Sequence, residues 1–522
     1  MKKMHKRGTG RHKSLESDTN KTANALKDTL EDNLRFIDAG LGNSTDLVIR
    51  QFTITANRRL CRTAIVYIDG LANPQALLDS LLKDDNETRK AIEHPEETNP
   101  LQLLRDYVLT IGDMHGASDF DTLLHAVLSG DTAILVDGFA EGIVADTRDF
   151  TDRGVTEPSS QTVVRGPREG FSETLRTNTA LVRRKIKDRN LWMETRQIGD
   201  VTKTDVSLMF IKGTVNDKVV DEVRARMDRI DIDAILESGY IEELIQDDSY
   251  SPFPTIYHSE RPDAIAGGLL EGRVAIFVDG TPFVLLVPAL FTHFMQTPED
   301  YYQRADIGSL LRILRYVCLF IALFGPSAYI AITTFHQEMI PTPLLISIMA
   351  QREGIPFPAF IEAIIMEVTF EILREAGVRM PRTIGQAVSI VGALVIGQAA
   401  VDAGLVGPAM VIVVSITAIS NFVIPSYNMG ISVRMIRFIY MMLAASFGLY
   451  GILVGTIVMV LHLCSLRSFG VPYLAPFAPF IIEDQKDNIF RLPQWALLTR
   501  PRLVSPNNRK RQKNHPPHKP AP

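Results

Sequence analysis

Between residues 310 and 480 the chain carries sixteen charged side chains, about one residue in ten, against 22% for the whole sequence. A segment this apolar is membrane-like, and a helix crossing a bilayer needs about 20 such residues in a row. LRILRYVCLFIALFGPSAYIAITTF, from 311, meets that length, with Arg312 and Arg315 at its leading end as expected for a cytosolic start. IGQAVSIVGALVIGQAAV from 384 and GPAMVIVVSITAISNFVI from 407 read as two further spans, joined by a turn at Asp402, Ala403 and Gly404 that has no Lys or Arg and is expected to face outward. A fourth span begins at 435, past Arg434 and Arg437. Four spans return the chain to the cytosol.

The segment 356–381 disturbs that count. It carries Glu362, Glu367, Glu371 and Glu375, and at 100° per residue the last three lie within a sector of about 80° of one helix face. Two readings stand. The helix lies in the membrane interface with its carboxylates in water, or the carboxylates line a cation path at membrane depth. If it spans, the parity changes unless the segment near 283 or VPYLAPFAPFII at 471 also crosses.

In the helix from 384, Gly385, Ser389, Gly392, Ile396 and Ala399 recur at helical spacing, which suits close helix packing. Several copies around an axis would put one face of such a helix on a narrow pore. Val388, Val391 and Val395 are then candidates for a dewetting constriction, with Gln386 and Gln398 near its mouths.

The polar half contains an internal repeat. IVYIDGLANPQALLDSLL at 65 matches MFIKGTVNDKVVDEVRARM at 209, and GDTAILVDGFAEGIVADTRDF at 130 matches GRVAIFVDGTPFVLLVPALFTHF at 272. Each copy predicts a strand, an Asn-capped helix, further helices and a closing Asp-Gly hairpin. The expected organisation is a disordered basic tail at 1–38, α/β subdomains at 39–162 and 163–282, a helical membrane domain at 297–482, and a cytosolic C-terminal tail at 483–522, disordered after about 500. In the second copy the strand after the turn reads PFVLLVPALF, with no polar side; residues 283–296 are therefore expected to be interfacial or re-entrant. The fold class is an α/β tandem-repeat cytosolic N-terminal region followed by an all-α transmembrane domain.

The N-terminus has no apolar core before a cleavage site, so no secretory signal is expected and the polar half is expected in the cytosol. A formal net charge of −5 gives no global field for nucleic acid. Cys61, Cys318 and Cys464 are too scattered for a disulfide framework or a zinc site. No GxxxxGK[ST], HExxH, CxxC or GxSxG occurs, and His336 beside Glu338 reads as a surface pair, so neither a catalytic residue nor a metal or cofactor site is expected. RGPREGFSETLRTNTALVRRKIKDRNL, from 165, is a basic loop and helix whose Arg165, Arg168, Arg176, Arg183 and Arg184 are candidates for contact with an acidic partner surface; lipid headgroups or RNA are the alternatives, the latter weakened by the lack of interleaved aromatics.

RGPREGFSETLRTNTALVRRKI, LWMETRQIGDVTKTDVSLMFIKG, the long run from EAIIMEVTFEILREAGVRMP to GPAMVIVV, and PSYNMGISVRMIRF resemble the hallmark segments of the A subunit of GerA-type spore germination receptors, over roughly residues 40–490. The resemblance implies an inner-membrane protein of endospores, multi-pass, working with a permease-like B subunit that binds the nutrient and a lipoprotein C subunit. It also implies a homo-oligomeric ring forming a nutrient-gated cation channel. A secondary transporter and a non-conducting scaffold are the alternatives.

Overall fold

The computed structural model describes residues 24–56, 59–75, 77–78, 114–148, 157–158, 161–379 and 397–513. They form two compact units: unit 1 reaches residue 286, except for 163–166 and 245–257, which belong with residues 287 onward in unit 2.

Unit 1 holds two five-stranded sheets. The first is built from α1 (Leu30–Gly40), β1 (Leu47–Ala56), β2 (Arg59–Ile68), β3 (Met114–Ala117), α2 (Phe120–Leu128), β4 (Thr132–Val136) and β5 (Gly142–Ala145), with strand order β1-β2-β4-β5-β3. The second is built from α3 (Leu175–Lys185), β6 (Leu191–Ile198), β7 (Thr204–Ile211), α4 (Asp217–Met227), α5 (Ser238–Ile245), β8 (Tyr257–Ser259), α6 (Pro262–Leu270), β9 (Val274–Val278) and β10 (Val284–Val287), with order β6-β7-β9-β10-β8. Registers correspond as well: Thr63 faces Val136 in the first sheet, and Val206 faces Val278 in the second.

The same small devices lock both sheets to their helices. Asp137, at one hairpin, accepts from the Leu30 N–H at the start of α1 (3.0 Å), and Asp279, at the other, accepts from the Leu175 N–H at the start of α3 (2.9 Å). The following glycines, Gly138 and Gly280, sit at φ +88° and +89°, where a side chain is disfavoured, and donate to Asp28 O and Glu173 O. Asn33 and Asn178 each bridge the backbone of the residue six positions earlier. Asn216 caps α4 through the Lys218 N–H.

Three expectations change here. α1 occupies residues assigned to the N-terminal tail; Leu30, Leu34 and Ile37 form a helical stripe packed under Phe120 and Val66. The apolar run after Asp279 begins as β10, hydrogen-bonded between β9 and β8 with all four residues buried, not as a membrane entry. A strand covered on both faces has no polar side, so lost alternation signals burial as readily as lipid. Beyond it, Leu290 packs with Val471, Ala475 and Val504 in unit 2. The third change is at the C-terminus, where Leu497, Val504 and Ser505 are buried and Thr499 bridges Lys510.

Unit 2 is an apolar helical bundle: α7 (Glu299–Tyr302), α8 (Ala305–Thr334), α9 (Thr342–Arg352), α10 (Ala359–Arg379), α11 (Gly397–Asp402), α12 (Pro408–Phe422) and α13 (Tyr427–Ser465). Among the described residues α8, with 30 residues, and α13, with 39, are long and apolar enough to cross a membrane; α12 is shorter. α13 is not straight. Gly448 has φ 59° and ψ −141°, and Tyr440 Oη lies 3.3 Å from Thr456 Oγ1. Sixteen residues of straight helix would hold those positions about 24 Å apart, so the chain turns back at Gly448 into two arms, 427–447 and 449–465. The first arm runs parallel to α8, since Arg437 donates to Ala322 O (2.7 Å) and Gly448 lies against His336. α10 runs antiparallel to that arm.

Candidate functional site

α10 brings the acidic stripe to the middle of the bundle, and most of it meets arginine. Glu362 is fully buried; its Oε2 accepts from the Gly407 N–H at the start of α12 (2.9 Å), and Arg352 Nη2 lies 3.0 Å from its Oε1. The carboxylate thus holds the positive end of α12 and the last turn of α9 together. One and a half turns further on, Glu367 Oε2 accepts from Arg437 Nη1 at 2.6 Å, both side chains at most 2% exposed. Glu371 accepts from Arg434 Nη1 (3.2 Å) and from Arg374 Nη2 on its own helix (2.8 Å). Glu375 pairs with Arg379 at the surface.

This places α10 between the two expectations for it. Its inner face is buried in the bundle rather than lying in water, and its carboxylates are neutralised rather than free. Among the described residues neither Glu367 Oε1 nor Arg437 Nη2 has a hydrogen-bond partner, so the pair is close but incompletely satisfied. Gln398 donates to Asp402 (2.9 Å) in an exposed turn of α11. Gln386, Val388, Val391 and Val395 lie outside the described residues.

The basic set in unit 1 divides. Arg183 is buried and makes a bidentate pair with Asp46 (2.6 and 2.8 Å) while donating to Leu191 O. It is a clamp between α3, β6 and the residues entering β1, so it does not face a partner; a buried bidentate guanidinium satisfies groups of its own chain. The neighbouring loop supports it, with Thr45 N donating to Met193 O (3.2 Å). Arg176 pairs with Asp69, Arg184 with Glu169 (3.4 Å) and Arg168 with Glu157 (3.3 Å), all with side chains partly in solvent. The backbone N–H of Arg165, in unit 2, lies 3.4 Å from Glu299 Oε1.

A second charge cluster escaped sequence reasoning. Arg312 and Arg315, expected to mark a cytosolic start of the span, converge on buried Asp300 (3.0 and 2.7 Å), and Arg312 also reaches Asp487 (2.9 Å). Arg312 and Arg491 both lie over the Tyr301 ring, at 5.3 and 5.5 Å. Burial alone would raise the Asp300 carboxyl, but the hydrogen bond and charge of Arg315, with Arg312 beside it, hold it below the usual range. Asp487 follows Arg312 by 175 residues, so no local pattern could have announced the pair. Arg434 and Arg437 did carry a signal: they are spaced three apart on one helix, as the glutamates are spaced four apart on another.

An α/β unit followed by an apolar bundle, two of whose described helices are long and apolar enough to cross a membrane, suggests a membrane-associated class of protein. A family model described as the Bacillus/Clostridium GerA spore germination protein matches residues 35–503, and the chain belongs to that family. It is 50% identical to spore germination protein KA of Bacillus subtilis (strain 168), over 90% of this chain and 86% of the relative, and 40% identical to spore germination protein A1 of the same organism, over 90% and 95%. A relative 46% identical, covering 92% of each chain, is named only as the uncharacterized membrane protein YfkQ. Spore germination proteins KA and A1, with spore germination protein GerLA of Bacillus cereus at 38% identity, are A-type spore germination subunits. Among solved structures, the N-terminal domain of the A subunit of the Bacillus megaterium spore germinant receptor GerK3 is 45% identical, covering 51% of this chain and 97% of that one, with a TM-score of 0.41.

Proposed function

We propose that this chain is the membrane subunit of a nutrient germinant receptor, assembled in several copies as a nutrient-gated cation channel that triggers germination. In this reading it sits in the spore's inner membrane as a multi-pass protein with both terminal regions cytosolic, beside a nutrient-binding permease-like subunit and a lipoprotein subunit. The two sheets of unit 1 are copies of one duplicated module, a reading supported by their shared strand order and matching hairpin locks.

The observation that carries the channel reading is the double contact between α10 and α13, Glu367 with Arg437 and Glu371 with Arg434. Ionisable side chains inside an apolar bundle are costly and are kept where they do something. A buried pair is weak support for stability, so a change of partner is the better account. Gating must be two-state, with nutrient favouring one arrangement over the other. The spacing offers the second arrangement: sliding α10 by one turn sets Glu371 against Arg437 and Glu375 against Arg434, preserving two pairs.

Neutralisation of the stripe also favours a second reading, a non-conducting scaffold in which these pairs only hold helices together. Cation flux into vesicles containing the chain with its partner subunits separates the two. Nutrient-dependent flux that changes in Glu367→Gln and in Val391→Ala supports the channel; no flux from assembled, nutrient-binding complexes supports the scaffold.

A further inference from the structure

After the second arm of α13, the chain does not leave the bundle. Residues 477–491 are fastened to the first turns of α8: Asp487 to Arg312, Arg491 N–H and O to Ser309 Oγ (3.0 Å each), and Phe477 edge-on to Tyr316 (6.5 Å). Along this fastened segment Phe480, Ile482 and Phe490 are exposed, and just beyond it so are Leu492, Trp495 and Leu498. α8 begins to expose apolar residues at the same level, with Leu310 and Leu314 in solvent-accessible positions. Residues 481–513 carry eight basic against three acidic side chains.

We propose that residues 480–513 form an interfacial seat that rests on an anionic lipid headgroup layer at the end of the bundle where α8 begins. An indole such as that of Trp495, apolar with an N–H at one edge, belongs at headgroup depth, and clustered Lys and Arg beside a membrane helix are drawn to negatively charged lipid. Continuity with the apolar surface of α8 sets the depth. The excess of positive charge argues against a second copy of this chain as the occupant, because two like-charged strips repel. The seat goes beyond the channel reading and holds for a scaffold equally.

The sequence supplies its own reporter, since the chain has two tryptophans, Trp192 in unit 1 and Trp495 in the seat. The experiment places full-length Trp192→Phe protein in phosphatidylcholine and phosphatidylglycerol vesicles whose acyl chains are brominated either near the carbonyl end or near the methyl end. Wild type minus Trp495→Phe gives the same signal should Trp192→Phe fold poorly. Shallow bromines are expected to quench Trp495 about twofold, deep ones clearly less, and the shallow quenching should weaken without phosphatidylglycerol. Emission indifferent to bromine means water or protein covers the segment, and stronger quenching by deep bromines means it inserts; either result overturns the proposal. Nutrient-dependent flux is read separately, so failure of the seat and failure of the channel are distinguishable.

Discussion

Glu367 on α10 and Arg437 on α13 meet at 2.6 Å with both side chains sealed inside the bundle. Arg437 is held in addition by its bond to Ala322 O (2.7 Å) on α8. Removing one partner strands a charge in an apolar setting at about 3–5 kcal/mol, whereas replacing both with groups of similar volume is close to neutral. Glu367→Gln and Arg437→Met should therefore each lower the melting temperature of the detergent-solubilised protein, and the double variant should recover most of the loss. Additive losses would mean that the two side chains do not act as a pair.

A one-turn slide of α10 would depend on Glu375. With Arg434 and Arg437 intact, Glu375→Gln removes the carboxylate that the shifted arrangement needs, leaves both contacts between α10 and α13 untouched, and gives up only the exposed pair with Arg379. Flux in the presence of nutrient should fall while thermal stability stays within about 0.5 kcal/mol of wild type, as for other exposed pairs. Unchanged flux with unchanged stability would remove the one-turn slide as the gating step.

Asp300 sets a pH window. Its carboxyl is held below the usual range by Arg315 and Arg312 against the opposing effect of burial. A group depressed in the folded state contributes stability that is fully present above its unfolded pKa of about 3.9 and is lost as pH falls through the folded value. The melting-temperature difference between wild type and Asp300→Asn should be flat from pH 7 to about 5 and shrink below about pH 4. A difference that grows on acidification contradicts the cluster.

The turn at Gly448 is testable by cross-linking. After replacement of Cys318 and Cys464, which are free thiols, Tyr440→Cys and Thr456→Cys should be joined by a short bifunctional thiol cross-linker. In a continuous helix they stand about 24 Å apart and cannot be. Gly448→Ala should also be poorly tolerated, because its Cβ would meet the His336 ring at 2.8 Å in a backbone region that favours glycine.

The clamp in unit 1 predicts a local effect. Arg183→Ala leaves Asp46 buried without its guanidinium, so hydrogen exchange at residues 43–46 and 191–195 should accelerate at least about tenfold, as expected for loss of a buried charged partner. Arg168→Ala, whose pair is exposed, should leave the same amides unchanged.

What the sequence made legible follows from what is local. The Asp-Gly hairpins are visible because a two-residue turn announces itself, and the acidic stripe because Glu367, Glu371 and Glu375 recur every four residues on one helix. β10 was misplaced because a strand covered on both faces has the same composition as a segment in oil. α1 was overlooked because Leu30, Leu34 and Ile37 are diluted by charged neighbours, although the Asn33 lock recurs at Asn178. The arginines facing the stripe come from a helix some seventy residues away, and Arg183 lies 137 residues from Asp46, so no local pattern encodes either pairing.

The turn at Gly448 decides where the chain finishes. A straight 39-residue helix would deliver Leu466 about 58 Å from Tyr427. Folded back, it delivers the following residues to the threshold from which α8 sets out, so that Asp487 can reach Arg312. The bundle is thereby closed into a circuit, covalent through its helices and ionic at the join, and a tug on the last thirty residues arrives at the first turn of α8 without having to pass through any helix between them.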